Sequence, residues 1–339
     1  MKLFLGSTSR SFAMIALSMV ASSFGSAAAT DLSGTIKIDG SSTVAPISMA
    51  AAEMFMQEHP KVRVTVGISG TGGGFKKFLD VKPDLRTDIS DASRPIKQAE
   101  LDKAKEVSVN FVEIPVAIDG LAVMVNPKNT WCDHLTLEEL KKIWEPSSTI
   151  QNWKDIRMGF PDKPLRLFGP GTDSGTFDFF TEVINGKEKA CRSDFSASEN
   201  DNALVQGIAG DEGSLGYFGF AYYEANHAKL KLVGIDNGNG KPVKPSSDLV
   251  RAGGYAPLAR PLFLYVNAES LKRPEVQAFL AYVLDHSKKI VEHPKVQYVV
   301  FPDELYTLAR QRMDSRKTGT VMLGVHGASN LVEIYRQNQ

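Results

Sequence analysis

The sequence predicts an α/β protein with room for two domains, and three observations predict it. Short apolar runs of β character alternate with stretches of helical periodicity along most of the chain. The composition, 42% hydrophobic and 23% charged, is that of an ordinary folded chain. The 339 residues suit two domains at roughly 100–200 residues each. Alternation of this kind implies mostly parallel sheets covered by helices on both faces.

The elements follow in order. Thr35–Asp39 reads as a strand. Ile47, Ala50, Ala51, Met54 and Phe55 then mark one helix face, with Pro46 in the first turn, where its missing N–H costs nothing. Val62–Val66 alternates as a strand, Gly67–Gly74 is a glycine-rich loop, and Phe75–Val81 starts a helix. A short strand from Ile89 runs into Ser90-Asp91-Ala92-Ser93, followed by a helix over Pro95–Glu106 and strands over Asn110–Ile118 and Leu121–Asn126. Thr136-Leu137-Glu138-Glu139 has the capping-box form and opens a helix through Trp144. Leu165–Phe168 is a strand that leads through Gly169–Thr176 into a helix ending at Ile184. Asn202–Ile208 is helical, Leu215–Phe218 and Lys231–Gly234 are strands, and Asp236–Gly240 is a turn. Pro261–Asn267 is a strand and Pro274–Asp285 a helix.

The first residues stand apart. Lys2 and Arg10 are their only charges, Phe12–Val20 is apolar, and Ala27-x-Ala29 offers a small-residue cleavage pattern. That order is a secretory signal peptide over 1–29, the alternative being a buried N-terminal helix. The apolar run falls short of the roughly 20 residues of a membrane span, and no Cys near the cleavage site could carry a lipid anchor. Lys plus Arg and Asp plus Glu each number 39, so the whole chain is neutral. Cleavage removes two positive charges, leaving the mature chain at −2. Such a balance argues against nucleic-acid binding. Export makes a Cys132–Cys191 disulfide plausible, with buried free thiols as the alternative. Two distant Cys and six scattered His form no metal motif, so neither metal nor cofactor is expected.

Three strand-to-helix junctions share one chemistry: Gly40-Ser41-Ser42-Thr43, Ser69-Gly70-Thr71-Gly72-Gly73-Gly74 and Gly171-Thr172-Asp173-Ser174-Gly175-Thr176. The first turn of a helix has unpaired N–H groups and a dipole that favours negative charge. Hydroxyls add donors, and glycine lets the backbone come close. One such loop decides nothing, since Ser and Thr cap helices and Gly makes turns. Three together describe an anion site. None carries a nucleotide-binding fingerprint, so the anion is small.

Ser90-Asp91-Ala92-Ser93-Arg94-Pro95 is a fourth such junction. Arg94 offers a planar fork suited to an oxyanion. Asp91 repels an anion unless that anion still carries a proton, which phosphate does near neutral pH and sulfate does not. A buried carboxylate facing only acceptors is costly, so this residue would discriminate by about 10⁴-fold. The plainer alternative is that Asp91 caps a helix and pairs with Arg94.

In that order and spacing, Gly40–Pro46, the Ser-Gly-Thr-Gly-Gly-Gly loop, Ser-Asp-Ala-Ser-Arg-Pro and Gly-Thr-Asp-Ser-Gly-Thr resemble the periplasmic phosphate-binding proteins of phosphate ABC transporters, the PstS-type family. Ser198–Asn202 and Gly213–Tyr217 add to the resemblance, which spans nearly the whole mature chain. It implies a type II periplasmic-binding-protein fold: two α/β lobes joined by two crossing strands with a ligand cleft between them. Lobe 1 would comprise 30–117 and 262–339, and lobe 2 would comprise 118–261. Ser42 and Thr43 would bind phosphate from the first loop, Thr71 and Gly72 from the second, with Ser69 as the alternative there. Asp91 would accept the phosphate proton, and Ser174, Gly175 and Thr176 would donate from the other lobe. Many members place an Arg shortly before Ser-Gly-Thr. Here the segment is Gly169-Pro170-Gly171-Thr172, and Arg94 is expected to supply the charge instead.

The implied function is high-affinity phosphate binding in the periplasm and delivery to the permease, by a monomer that is no enzyme. A receptor for another oxyanion, sulfate or molybdate, is the second reading. A secreted serine hydrolase using Ser174 is the third, weakened because Gly171–Gly175 is not a G-x-S-x-G elbow.

Overall fold

Strand Phe111–Val125 is the organising element, a single run of 15 buried residues. A computed structural model describes Met1 and residues 32–172, 174–198, 200–325 and 330–338. The signal peptide expected over 1–29 lies, Met1 aside, outside them. The strands are β1 (Gly34–Gly40), β2 (Val62–Ile68), β3 (Ile89–Ala92), β4 (Phe111–Val125), β5 (His134–Thr136), β6 (Arg166–Gly169), β7 (Ser196–Ala197), β8 (Ser214–Gly219), β9 (Lys231–Leu232), β10 (Gly234–Asp236) and β11 (Ala259–Asn267). The helices are α1 (Ala45–Glu58), α2 (Gly70–Phe78), α3 (Gln98–Glu106), α4 (Leu137–Trp144), α5 (Gly175–Asn185), α6 (Asp201–Gly210), α7 (Phe220–Asn226), α8 (Ser247–Arg251), α9 (Pro274–Asp285), α10 (Ser287–Val291), α11 (Asp303–Asp314) and α12 (Leu331–Gln337).

The main sheet runs β2-β1-β3-β11-β4-β8-β6-β7, with β9 also on β4. Its two outer parts are parallel, as the alternation predicts: β2-β1-β3 on one side and β8-β6-β7 on the other. The centre is not. β11 lies antiparallel to both β3 and β4, and β4 antiparallel to β8. A central strand that returns from the far part of the sheet can pair only in that sense.

Sequence reading divides β4 at Asp119-Gly120, where charge and glycine interrupt the apolar pattern. In the structure the strand continues and changes partner there. Phe111–Gly120 pairs with β11 and Leu121–Val125 with β8. Two sheet halves therefore share one unbroken backbone. Both faces are covered, which is why β4 and β11 are buried at every position.

The glycine run also differs from expectation. α2 begins at Gly70 inside it, not at Phe75. Glycine is a poor helix former, but here close packing decides. A Cβ on Gly74 would lie 2.5 Å from Gly40 Cα and 2.8 Å from the Asp39 carbonyl oxygen. Only glycine lets this helix settle against β1, and Phe75 and Phe78 then seal the contact from the other side of the turn, fully buried.

Candidate functional site

The first loop folds back on itself between β1 and α1. Ser41 N–H donates to the Asp91 carbonyl at 2.9 Å, and the Ser41 hydroxyl accepts from Thr43 N–H at 3.2 Å. Ser41 and Thr43 are buried, while Ser42 stays half-exposed. α1 has no side-chain cap and no acidic residue in its first turn. α2 has neither, although Ser69 stands at its N-cap, because the Ser69 hydroxyl donates to Asp39 instead. Lys77 holds the other Asp39 oxygen at 2.5 Å. By contrast Glu100 accepts the Lys97 N–H at the start of α3, and α4 is closed by a full capping box between Thr136 and Glu139. The two helices that meet the first and second loops thus keep first-turn N–H groups and positive dipole ends unclaimed by any carboxylate.

Asp91 lies at the end of β3, fully buried. One oxygen accepts from the Ser48 hydroxyl at 2.9 Å. The other, also buried, has no hydrogen-bond partner among the described residues, and neither has the buried Ser90 hydroxyl. Burial pushes the Asp91 carboxyl up to about 7, Ser48 working against the rise and the Asp39 charge adding to it. Beyond it, Thr71 of α2 and Ser93 share a hydroxyl contact at 3.1 Å, and Ser93 N–H donates to Thr71. Thr71 therefore adjoins the β3 junction, whereas Ser69 is exposed and engaged with Asp39.

α5 closes the locus from the other sheet half. Ser174 is its N-cap and accepts from Thr176 N–H at 3.2 Å. Gly175 presses on the first loop: a Cβ there would lie 2.4 Å from Thr43 Oγ1 and 2.5 Å from Thr43 Cα. The Thr43 hydroxyl donates to the Gly175 carbonyl at 3.2 Å, and Ser42 donates to Asp178 at 3.1 Å. The other Asp178 oxygen is buried with no hydrogen-bond partner among the described residues, Lys189 Nζ lying 4.0 Å away. Burial is the chief reason the Asp178 carboxyl sits above its ordinary range.

The structure thus brings together Ser42, Thr43, Thr71, Asp91, Ser174, Gly175 and Thr176, with Gly72 exposed at the outer edge of the second loop. It does not bring Arg94. That fork forms a two-pronged pair with Glu100 at 2.8 and 2.9 Å, next to the Lys97 N–H that Glu100 also caps. The guanidinium that reaches the first loop is that of Arg260 on β11. Its Nη2 donates to Thr43 Oγ1 at 3.0 Å and approaches the Gly175 carbonyl at 3.5 Å. Asp119, directly opposite on β4, takes its Nε at 3.4 Å. Sequence reading missed both residues, although a visible signal was present: Arg260 is the one charge in β11, and Asp119 is one of two in an otherwise apolar β4.

The disulfide expectation is overturned. Cys132 and Cys191 are both free thiols. Cys132 is buried ahead of β5, its N–H held by Asn129 and its sulfur facing the His134 carbonyl. Cys191 belongs to the turn after α5, beside Arg192, whose N–H bonds Trp144. Different loops anchor the two sulfurs, and burial raises the thiols to about 12 and about 11. Among the described residues no group of three His, Cys, Asp or Glu is placed to hold a metal ion, and no helix is long and apolar enough to cross a membrane.

The family model of the PBP superfamily domain matches residues 25–287. Protein SphX of Synechococcus elongatus is 45% identical over 291 residues, 85% of this chain and 84% of its own. Phosphate-binding protein PstS of Staphylococcus haemolyticus is 38% identical over 279 residues, 81% and 84% of the two chains. This chain belongs to the PBP superfamily, in its PstS-type family. A crystal structure of a "possible phosphate binding protein" from Planctomyces limnophilus superposes with a TM-score of 0.80 at 47% identity, covering 84% of this chain and 99% of that one. The fold is accordingly the two-lobed one of the PstS-type proteins. In this PstS-type chain Pro170 stands in the stretch where many members carry an Arg, and the guanidinium at the first loop comes from a crossing strand.

Proposed function

We propose that this protein captures inorganic phosphate between its lobes and delivers it to the permease of a phosphate ABC transporter. The observation that carries the reading is the buried Asp91 oxygen without a donor, set beside unclaimed helix N-termini. A fully ionic anion would leave that carboxylate facing acceptors; an anion that presents a proton to it completes it. Ser42, Thr43, Thr71, the Gly72 backbone, Ser174, Gly175 and Thr176 would supply the remaining donors. The name of the Staphylococcus haemolyticus relative, phosphate-binding protein PstS, supports the same ligand, and so does its match over most of both chains.

The lobes we assign are 30–117 with 262–339, and 118–261. Support comes from the partner change of β4 at Gly120–Leu121, a few residues from both boundaries. The protein would work as a periplasmic monomer after cleavage near Ala29, which N-terminal sequencing of the exported chain tests. Binding without turnover fits Ser174, whose oxygen serves as a helix cap.

The deciding experiment is calorimetric titration of ligand-stripped protein with phosphate, arsenate and sulfate at two pH values. Phosphate and its protonated mimic arsenate bind, and sulfate does not. Displacement of phosphate by equal sulfate would sink the role of Asp91 and favour a general oxyanion receptor.

A further inference from the structure

The Arg260 guanidinium touches both sheet halves and both crossing strands. It springs from β11 and pairs with Asp119 of β4. It donates to Thr43 of the first loop at 3.0 Å. Towards α5 it approaches the Gly175 carbonyl at 3.5 Å and Glu182 at 3.6 Å, and it lies over Phe179, 3.8 Å from the ring centre. Arg260 is 9% exposed and Asp119 fully buried. One rigid planar group thus holds the strand crossing, the first loop and the start of α5 in one geometry.

We infer that Arg260 is the positioning residue that latches the lobes together, coupling closure to the ordering of the phosphate loop. The inference rests on the phosphate reading for its ligand but not for its geometry. Three features support it. Thr43 has its hydroxyl held by Arg260 from one lobe and its carbonyl held by the Tyr298 hydroxyl at 2.9 Å from the other chain end, so the loop conformation depends on the latch. Arg260, Asp119 and α5 fall in the 118–261 lobe and Thr43 in the other, so the Thr43 contact exists only when the first loop lies against α5, and it favours the closed state over the open one, as any shift of that balance requires. Finally, a planar fork can serve Asp119, Thr43 and α5 at once, which an ammonium on a flexible stem cannot.

Arg260→Lys keeps a cation for Asp119 and therefore the fold, yet removes the fork. Arg260→Ala removes both. Phosphate affinity by calorimetry, the radius of gyration by small-angle scattering with and without phosphate, and the melting temperature separate the possibilities. The expected result for Arg260→Lys is an ordinary melt, a larger ligand-free radius than wild type, phosphate affinity weaker by about thirtyfold or more, and compaction regained at saturating phosphate. Arg260→Ala shows the same signs more strongly. Wild-type affinity and wild-type radii in a folded Arg260 variant overturn the latch and leave the phosphate reading intact. If wild type itself takes up no phosphate, that reading fails, and equal ligand-free radii of wild type and Arg260→Lys overturn the latch separately.

Discussion

Ser48 on α1 donates its hydroxyl to one oxygen of Asp91 and leaves the other, equally buried, without a donor among the described residues. The proton state of that second oxygen sets the pH behaviour of the site. Dihydrogen phosphate on ionised Asp91 and monohydrogen phosphate on neutral Asp91 are the same species with one shared proton. With the Asp91 carboxyl raised to about 7, affinity is greatest near neutral pH. It falls about tenfold per pH unit well to either side, by one-proton linkage. Calorimetry in buffers of different ionisation enthalpy should show proton uptake on the alkaline side and release on the acid side; binding with no exchange at either end contradicts the shared proton.

Asp91→Asn keeps the shape and can donate where Asp91 must accept. Phosphate should weaken by about 10²-fold or more, with sulfate binding gained relative to it. The ratio of the two affinities is the quantity to measure, because a general disruption lowers both.

The same carboxyl affects stability in the ligand-free protein. Its folded value lies above the ordinary one, so the charged form is penalised in the fold. Asp119 behaves alike, raised to about 6 by burial although Arg260 opposes the rise. Stability should therefore be greatest below about pH 4 from these two groups and decline as pH rises to about 7. Above pH 7, Asp91→Asn should melt higher than wild type without phosphate, by on the order of 1–4 kcal/mol, and the gain should vanish in acid. A mutant less stable at pH 8 would contradict this.

Gly175→Ala tests the close approach of α5 to the first loop. Alanine is the better helix former, so the helix keeps its stability. The new Cβ would meet Thr43 at 2.4–2.6 Å, and phosphate affinity should drop by about tenfold. Unaltered affinity would show that closure leaves more room at Thr43 than the structure does.

Arg94→Ala removes the pair with Glu100, a contact that also fixes the α3 cap. Both partners are partly exposed, so the cost in stability is about 1 kcal/mol. Its loss of phosphate affinity should be smaller than that of Arg260→Lys. The reverse order would return the charge to Arg94.

Reducing agent should not move the melting temperature, since Cys132 and Cys191 are free thiols. Native alkylation should be slow, because burial raises both above their ordinary range. Mass spectrometry after denaturing alkylation should find two modified Cys.

Much of this was legible in the sequence, and the physical reason differs by element. The capping box at Thr136–Glu139 and the face of α1 are local signals, and local chemistry decides them. Ser42, Thr71, Asp91 and Ser174 could be placed near one another because strand-to-helix junctions gather at one end of a sheet. The start of α2 was hidden, since packing at Gly74 overrides glycine's low helix propensity. Arg260 and Asp119 escaped because their pairing is long-range: 141 positions separate them. Arg94 misled for the opposite reason. Its sequence neighbour at the anion junction is Asp91, but the helical step to Glu100 satisfies it first.

Finally, β4 has a consequence for what the chain can tolerate. A single strand serves β11 along one stretch and β8 along the next. Deleting or inserting one residue near Gly120 would turn every later side chain to the opposite face, so an error in one lobe's core would be written into the other's. Length changes in this protein should therefore be confined to its surface turns, and the backbone between Phe111 and Val125 acts as a fixed ruler against which both halves are measured.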